Sequence, residues 1–201
     1  MVRRYVVPTV SLPDLVGVKG NLGPLENAAL RVQQGELEAF KEIVQATSAQ
    51  LVRVAARVIG DMAEAEDVVQ EAYVSAYQAL ILGQFDGRSR LPTWLRRIVI
   101  NRAIDALRSR RRRPRLDDSA LDASWDGAVS IESRLALVEL NDWMNGLVPE
   151  QRATLSLSVL EGLSNLEIAD AMGCTEGAVE QRLVRARVAL RQRSQKNGSA
   201  T

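Results

Sequence analysis

The side chains best equipped for chemistry in this 201-residue sequence are amides, carboxylates and guanidiniums, and they fall into two groups. Near the C-terminus Glu176, Glu180, Gln181, Arg182, Arg185 and Arg187 share one short stretch opened by Thr175. An arginine can neutralise a phosphate or pair with guanine, a glutamine can bond adenine bidentately, and a glutamate can accept from cytosine. In the middle of the chain Asn101 stands among Arg88, Arg90, Arg96, Arg97, Arg102, Arg108, Arg110 and Arg111. That set offers cations to a backbone and one amide that both donates and accepts. These are tools for holding a polyanion rather than for breaking bonds. The sequence has no His, no nucleophile motif and no glycine-rich phosphate loop, so an enzyme is not expected. The one cysteine, Cys174, excludes an internal disulfide and a cysteine zinc site. No metal, cofactor or small-molecule substrate is expected.

Charge alternates along the chain, although its formal net value is only +1. Residues 61–86 hold six acids and no Lys or Arg, whereas 87–115 hold eleven arginines against Asp105 alone. Residues 116–180 carry thirteen acids against Arg134 and Arg152, and from Gln181 onward there are six basic residues and no acid. Two separated basic blocks imply two contacts with a polyanion, most simply nucleic acid. The acidic blocks imply a basic partner, or insulation from that polyanion. No stretch has eighteen consecutive apolar residues, so no membrane insertion is expected. Pro8, Pro13 and Asp14 interrupt the start, leaving no signal-peptide core, so a cytoplasmic location is expected.

The elements that must position these groups read as helices. Leu, Val, Ala, Arg and Glu dominate and aromatics are only 4%, a mixture that favours helix over sheet. Residues 1–24, with Pro8, Pro13 and Pro24 between glycines, read as a flexible tail. Ala28, Ala29, Val32, then Leu37, Phe40, Ile43 and Val44 recur at helical spacing, with Gly35 separating two helices. The stripe continues through Leu51, Val54, Ala55, Val58 and Ile59 to Gly60. Asp61 is placed to cap a helix that buries Val68, Val69, Ala72, Ala76 and Leu80, with Tyr73 and Tyr77 alongside. A loop over 83–90 precedes a helix that Pro92 opens and that runs from about Thr93 to Arg112. Pro114 ends it. The acidic stretch 115–131 has no helical period and reads as a linker between two domains. Beyond it, Leu135, Val138, Leu140 and Met144 mark one helix. Pro149 starts another, with Ala153, Leu155, Leu157 and Leu160 on its apolar side.

The sharpest local signal runs from Glu161 to Arg193. Ser164 and Glu167 form a capping box that opens a short helix burying Leu166, Ile168, Ala169 and Met172. Gly173 supplies the left-handed residue at its end. Thr175 caps the next helix, whose core stripe is Val179, Leu183, Ala186 and Leu190. A small residue at the helix crossing (Ala169), a turn glycine and Val179 packing back match a helix-turn-helix, whose second helix lies in the major groove. A plain helical hairpin with a solvated basic face would share the basic stripe. The capping box, the Ala-Gly-Val spacing and the acid-free end favour DNA reading.

At this point the residues resemble a family. Asp67-Val-Val-Gln70-Glu71-Ala-Tyr73, Phe85-Asp-Gly87, Thr93-Trp94-Leu95-Arg-Arg97-Ile98 and Asn101-Arg-Ala-Ile-Asp105 are similar to region 2 of extracytoplasmic-function (ECF) RNA polymerase sigma factors of the sigma-70 superfamily. Leu147-Val-Pro149-Glu-Gln151-Arg152, Glu161-Gly162-Leu163-Ser164, Glu167-Ile168-Ala169 and Arg182-Leu-Val-Arg185-Ala186-Arg187 resemble their region 4. The resemblance covers roughly residues 25–193. It implies an all-α chain of two helical domains, a region 2 bundle over 25–114 and a region 4 helix-turn-helix over 132–196, joined by the flexible acidic linker 115–131 and followed by a short tail, 197–201.

The resemblance also implies roles. Asp67, Gln70 and Glu71 would dock on the clamp helices of the polymerase's largest subunit, with the flap region as a further contact. Phe85, Arg88, Arg90, Trp94, Arg97, Asn101, Arg102, Arg108, Arg110 and Arg111 would engage the minus-10 element, with Asn101 reading a flipped base and the arginines tracking phosphates. Packing between helices is the simpler role for Trp94. Thr175, Glu176, Glu180, Gln181, Arg182, Arg185 and Arg187 would read the minus-35 element. The linker would thread the polymerase near its active-site cleft, or act as a plain spacer. An anti-sigma factor is the implied regulator. Relatives usually carry a basic residue and a serine where this chain has Glu180 and Gln181, which implies a divergent minus-35 sequence. A helix-turn-helix regulator without sigma activity would leave the Asp67 and Trp94–Asp105 motifs without a task. A sigma-mimicking adaptor would lack the basic blocks, which this chain keeps.

Overall fold

The computed structural model describes residues 23–112 and 140–198, all but a few turns of which are helical. The expected tail, apart from its last two residues, and the whole expected linker lie outside the described residues, as do Leu135, Val138 and Pro114. Pro24 belongs to the first helix rather than to the tail: α1 spans Pro24–Gln33 with Pro24 in its first turn, where a missing N–H costs nothing. α2 spans Leu37–Ile59 and stops on Gly60, whose φ of 77° is left-handed. α3 spans Met62–Ile81, and Asp61 caps it by accepting from the Glu64 N–H at 2.9 Å. α4 spans Leu91–Arg112, beginning one residue before Pro92. Its first N–H groups would otherwise lack partners. The Leu91 N–H donates to Glu26 Oε1 on α1 at 3.0 Å.

After the undescribed stretch, residues 140–145 form α5. α6 spans Pro149–Val159, α7 Asn165–Met172 and α8 Glu176–Gly198. α8 thus continues two residues into the expected C-terminal tail.

In the first half α1–α4 pack on one another through Val32, Ile43, Val54, Leu80, Leu95 and Ile100, all fully buried. Alanines 39, 55, 65, 72, 76 and 103 are buried between them, and their small side chains let the helix axes approach closely. One polar pair sits in this core. Thr47 Oγ1 donates to Ile43 O at 2.7 Å and lies 2.6 Å from Tyr73 Oη. With its proton so used, Thr47 accepts from the tyrosine. Burial pushes the Tyr73 hydroxyl pKa up, with the Thr47 bond opposing.

In the second half α6 and α7 pack against α8 through Leu157, Ile168, Ala169, Val179, Leu183 and Ala186. Leu37, the first residue of α2, was expected on the apolar stripe but is exposed, as are three leucines expected inside the second half, Leu140, Leu160 and Leu166, the last at 64%. Leu160 lies just past the end of α6 as its C-cap residue. Leu166 is in the first turn of α7, whose buried face is made by Ile168, Ala169 and Ala171. The two halves touch: α6 packs on α2 and α4, and α7 packs on α4.

Candidate nucleic-acid interface

The helix-turn-helix is built as its residues require. Ser164 Oγ accepts from the Glu167 N–H at 3.3 Å, and Glu167 Oε2 accepts from the Ser164 N–H at 2.8 Å. The Ser164 N–H, contributing most, and the Ser164 hydroxyl at 2.8 Å both donate to the Glu167 carboxylate and hold its carboxyl below its ordinary pKa. Gly173 ends α7 with φ 62°, a left-handed value that side chains resist. Thr175 Oγ1 accepts from the Ala178 N–H at 3.2 Å, capping α8. α8 then presents Thr175, Glu176, Glu180, Gln181, Arg185 and Arg187 to solvent. Arg182 differs. It is half-buried and turned toward the turn, its Nη1 3.1 Å from Cys174 Sγ. Arg193, from the same basic block, donates to Trp143 O at 2.7 Å and so fastens α8 to α5. Val184 was not singled out by the sequence pattern, which records it only as one more apolar residue. It is 58% exposed, and the 3.6-residue period sets it between Glu180 and Gln181 on the open face. An exposed valine there can contact a thymine methyl.

The second basic group lies on α4 and the loop before it. Arg97, Asn101 and Arg108 recur at helical spacing and share a face. Arg97 and Asn101 are half-buried and Arg108 exposed. Arg88, Arg90, Arg102 and Arg111 are exposed too. Arg88 N–H donates to Asp86 Oδ1 at 3.1 Å, shaping the loop. Several of these cations are already partnered. Arg102 Nη2 donates to Ser75 Oγ at 2.7 Å and its Nη1 lies 3.9 Å from Glu71. Arg110 pairs with Glu64 and sits 3.8 Å from Asp61. Arg108 donates to Asp105 at 2.7 Å and, from Nε, to Glu150 of α6 at 2.9 Å. Burial pushes the Glu150 carboxyl up, but the Arg108 bonds, a backbone bond and the charges of Arg108 and Arg182 together outweigh it and the net shift is downward.

Phe85 is placed differently from its expected role. It is 5% exposed and packs on Trp94 with ring centroids 5.3 Å apart, so its ring anchors the loop and has no free face for a base. Trp94 is half-buried in the same contact, in keeping with packing.

Asp67, Gln70 and Glu71 sit together on the exposed face of α3. The same face continues through exposed Val74, Ile81 and Leu82, which a reading of charge alone passes over. Acids at one end and apolar residues at the other suit a partner helix with a basic and an apolar side. Between α3 and α4 runs a groove of about 580 Å³ with Asp67 and Glu71 on one wall and Arg102 and Arg110 on the other. Among the described residues no helix is long and apolar enough to cross a membrane.

An all-helical chain with a helix-turn-helix in one half and an arginine-faced helix in the other has the build of a two-part DNA-binding protein. Comparison with known proteins places it more closely. A model of sigma-70 region 2 matches residues 43–113, and one of sigma-70 region 4 matches residues 137–190. The RNA polymerase sigma-H factor of Pseudomonas aeruginosa is 38% identical over 172 residues, covering 80% of this chain and 88% of that protein. The ECF RNA polymerase sigma-E factor of Escherichia coli is 35% identical over 179 residues, with the same coverage. The structure of CnrH in complex with the cytosolic domain of CnrY superposes with a TM-score of 0.59 at 25% identity, over 87% of this chain and 99% of that one. The sigma factor RpoE from Bartonella quintana, solved with the anti-sigma factor NepR, shares the fold (TM-score 0.57, 23% identity, over 78% of this chain and 96% of that one). The chain belongs to the ECF sigma factors of the sigma-70 family, and is thereby an alternative sigma factor.

Proposed function

We propose that the chain binds core RNA polymerase through α3, recognises promoter DNA through α4 and α8, and opens it for transcription initiation. The observation that carries this reading is the separation of three faces: an exposed acidic and apolar one on α3, a partly exposed one of arginine with Asn101 on α4, and an exposed mixed polar one on α8. A regulator working by its helix-turn-helix alone has use only for the last.

Asp67, Gln70 and Glu71 meet the clamp helices of the largest subunit, with Val74 and Ile81 extending the contact, and region 4 meets the flap. Arg88, Arg90, Arg97, Arg102, Arg108, Arg110 and Arg111 neutralise phosphates of the minus-10 strand, while Asn101 bonds a base turned out of the stack. Glu176, Glu180, Gln181, Arg185 and Arg187 read the minus-35 duplex with Thr175 at the helix start, and Arg182 holds the turn while remaining within reach of the backbone. The protein works in the cytoplasm as a non-catalytic subunit. An anti-sigma factor is its regulator, as NepR is the anti-sigma partner solved with RpoE.

In vitro transcription from a random promoter library tests the reading. Core polymerase supplemented with this chain is expected to select one pair of spaced elements. Tight duplex binding by the chain alone, with no transcript when polymerase is added, would refute it.

A further inference from the structure

α8 buries Val179, Leu183 and Ala186 against α6 and α7. At about 3.6 residues per turn, the line opposite that stripe is Gly177, Gln181, Val184 and Val188. All four are exposed, Val184 at 58% and Val188 at 45%. The charged residues fall to either side. Glu176, Glu180 and Arg187 lie on one flank and Arg185 on the other, with Arg182 beyond it, turned back to Cys174. The most outward line of the helix therefore carries no charge. It holds one amide, two valines and a position with no side chain.

On a merely solvated helix the outermost positions are charged or polar. Val184 instead leaves its methyl groups in water, with nothing in the chain to cover them. Gly177 points to the same conclusion. A Cβ there would meet nothing within 4 Å, and its φ is not left-handed. Neither packing nor backbone conformation calls for glycine, and alanine would make the better helix. A glycine that the fold itself does not use leaves room for something that approaches the first turn of α8 from outside. The Gln181 amide has no hydrogen-bond partner among the described residues, so its donor and acceptor are both available.

An A·T pair supplies what this line lacks. In the major groove adenine offers an N7 acceptor beside an N6 amine, which match the N–H and the oxygen of a glutamine amide, and thymine offers its C5 methyl. Guanine would set two acceptors against Val184 and leave them unbonded. Gln181 and Val184 are three residues apart and project side by side, so they reach the same or neighbouring base pairs. We propose that Gly177, Gln181 and Val184 determine minus-35 specificity as an A·T reader: Gln181 holds an adenine, Val184 packs on the methyl of an adjacent thymine, and the missing side chain at Gly177 lets the start of α8 come close enough for both. This rests on the reading that α8 enters the minus-35 duplex. Arg185 beside them is left to guanine or phosphate. Glu180 stands about a quarter-turn aside, so sequence choice rests on Gln181 and Val184 more than on it.

The test uses holoenzyme reconstituted from core polymerase and the full-length chain, on the promoter that it selects from a library. Single minus-35 thymines are replaced by uracil, which deletes only the C5 methyl. Single adenines are replaced by 7-deazaadenine, which deletes only the N7 acceptor. Affinity is read by gel shift. The wild type is expected to lose roughly fourfold with uracil at one position, the scale of one buried methyl. It is expected to lose roughly fivefold with 7-deazaadenine at the same or a neighbouring pair, the scale of one hydrogen bond. Val184→Ala, whose side chain stops short of the base, should be indifferent to the first change, and Gln181→Ala to the second. Gly177→Ala should melt no lower than the wild type and yet bind the selected promoter severalfold more weakly. Uracil tolerated at every thymine, sensitivity kept in the matching alanine variant, or Gly177→Ala binding as tightly as the wild type would overturn the proposal. Failure of the sigma reading would appear separately, as no promoter retained from the library by core polymerase with the wild-type chain.

Discussion

The Thr47–Tyr73 pair gives an asymmetric expectation. The two hydroxyls are 2.6 Å apart in the core that holds the acidic face of α3 outward. Tyr73→Phe removes a donor whose loss leaves no orphan, because Thr47 still donates to Ile43 O at 2.7 Å. Its cost is one neutral hydrogen bond, about 1 kcal/mol. Thr47→Val keeps the shape but strands the Tyr73 hydroxyl, 8% exposed, with only Val44 O at 3.5 Å. A buried unsatisfied donor costs about 1–3 kcal/mol, so roughly 2 is expected here. Thr47→Val/Tyr73→Phe should then cost less than the sum of the singles, with a coupling of roughly 1 kcal/mol. Urea unfolding followed by helical circular dichroism reads all three. The Tyr73 pKa lies above its ordinary 10.0 in the folded chain, so stability attached to the neutral hydroxyl is full below pH 10 and falls as pH rises through the raised value. Tyr73→Phe should flatten that alkaline limb. A Thr47→Val variant milder than Tyr73→Phe, or strict additivity, would show that loss of Thr47 does not strand the Tyr73 hydroxyl.

Other expectations follow from single contacts. Ala169→Leu overfills the α7–α8 crossing and should cost about 1–3 kcal/mol, abolishing transcription from minus-35-dependent promoters while polymerase binding persists in pull-down. Gln181→Ala and Val184→Ala should each change the minus-35 sequence recovered from a promoter library, losing roughly 1–3 kcal/mol of discrimination at one base for the bidentate contact. Because the Glu150 carboxyl is held below its ordinary value of 4.5, the stability its pair with Arg108 adds between α6 and α4 is full above that value and lost as pH falls through the lowered one. Scattering should show expansion toward acid, and Glu150→Gln should remove that dependence.

What was legible in the sequence follows the range of the forces involved. Caps are written within four residues, and Asp61, the Ser164–Glu167 box, Gly60 and Gly173 all serve as their types and spacing indicate. Helix faces are written in periodicity, and the stripes of α2 and α3 turn inward as expected, apart from Leu37 at the start of α2. Periodicity does not mark where a helix ends, so Leu160 and Leu166 were misplaced at termini. The resemblance carries Phe85 to the minus-10 element with the rest of its loop, whereas its ring packs on Trp94, nine residues on. The Arg152 seat was not legible at all. Its guanidinium donates to Val58 O and Ile59 O of α2, backbone carbonyls that carry no side-chain signature, as well as to Asn141 and Asn145. The roles of the α4 and α8 faces came from resemblance, since exposed Arg, Asn and Gln would look the same on a solvated helix.

Promoter opening by polymerase with this chain is read by permanganate probing of thymines in the minus-10 region, on the promoter that the library selects. Reactive thymines are expected only when chain and core polymerase are both present, with loss of that reactivity in Asn101→Ala despite retained polymerase binding. Unreactive thymines in the wild-type complex, or reactivity undiminished by Asn101→Ala, would contradict it, the first for opening itself and the second for the residue assigned to hold the base.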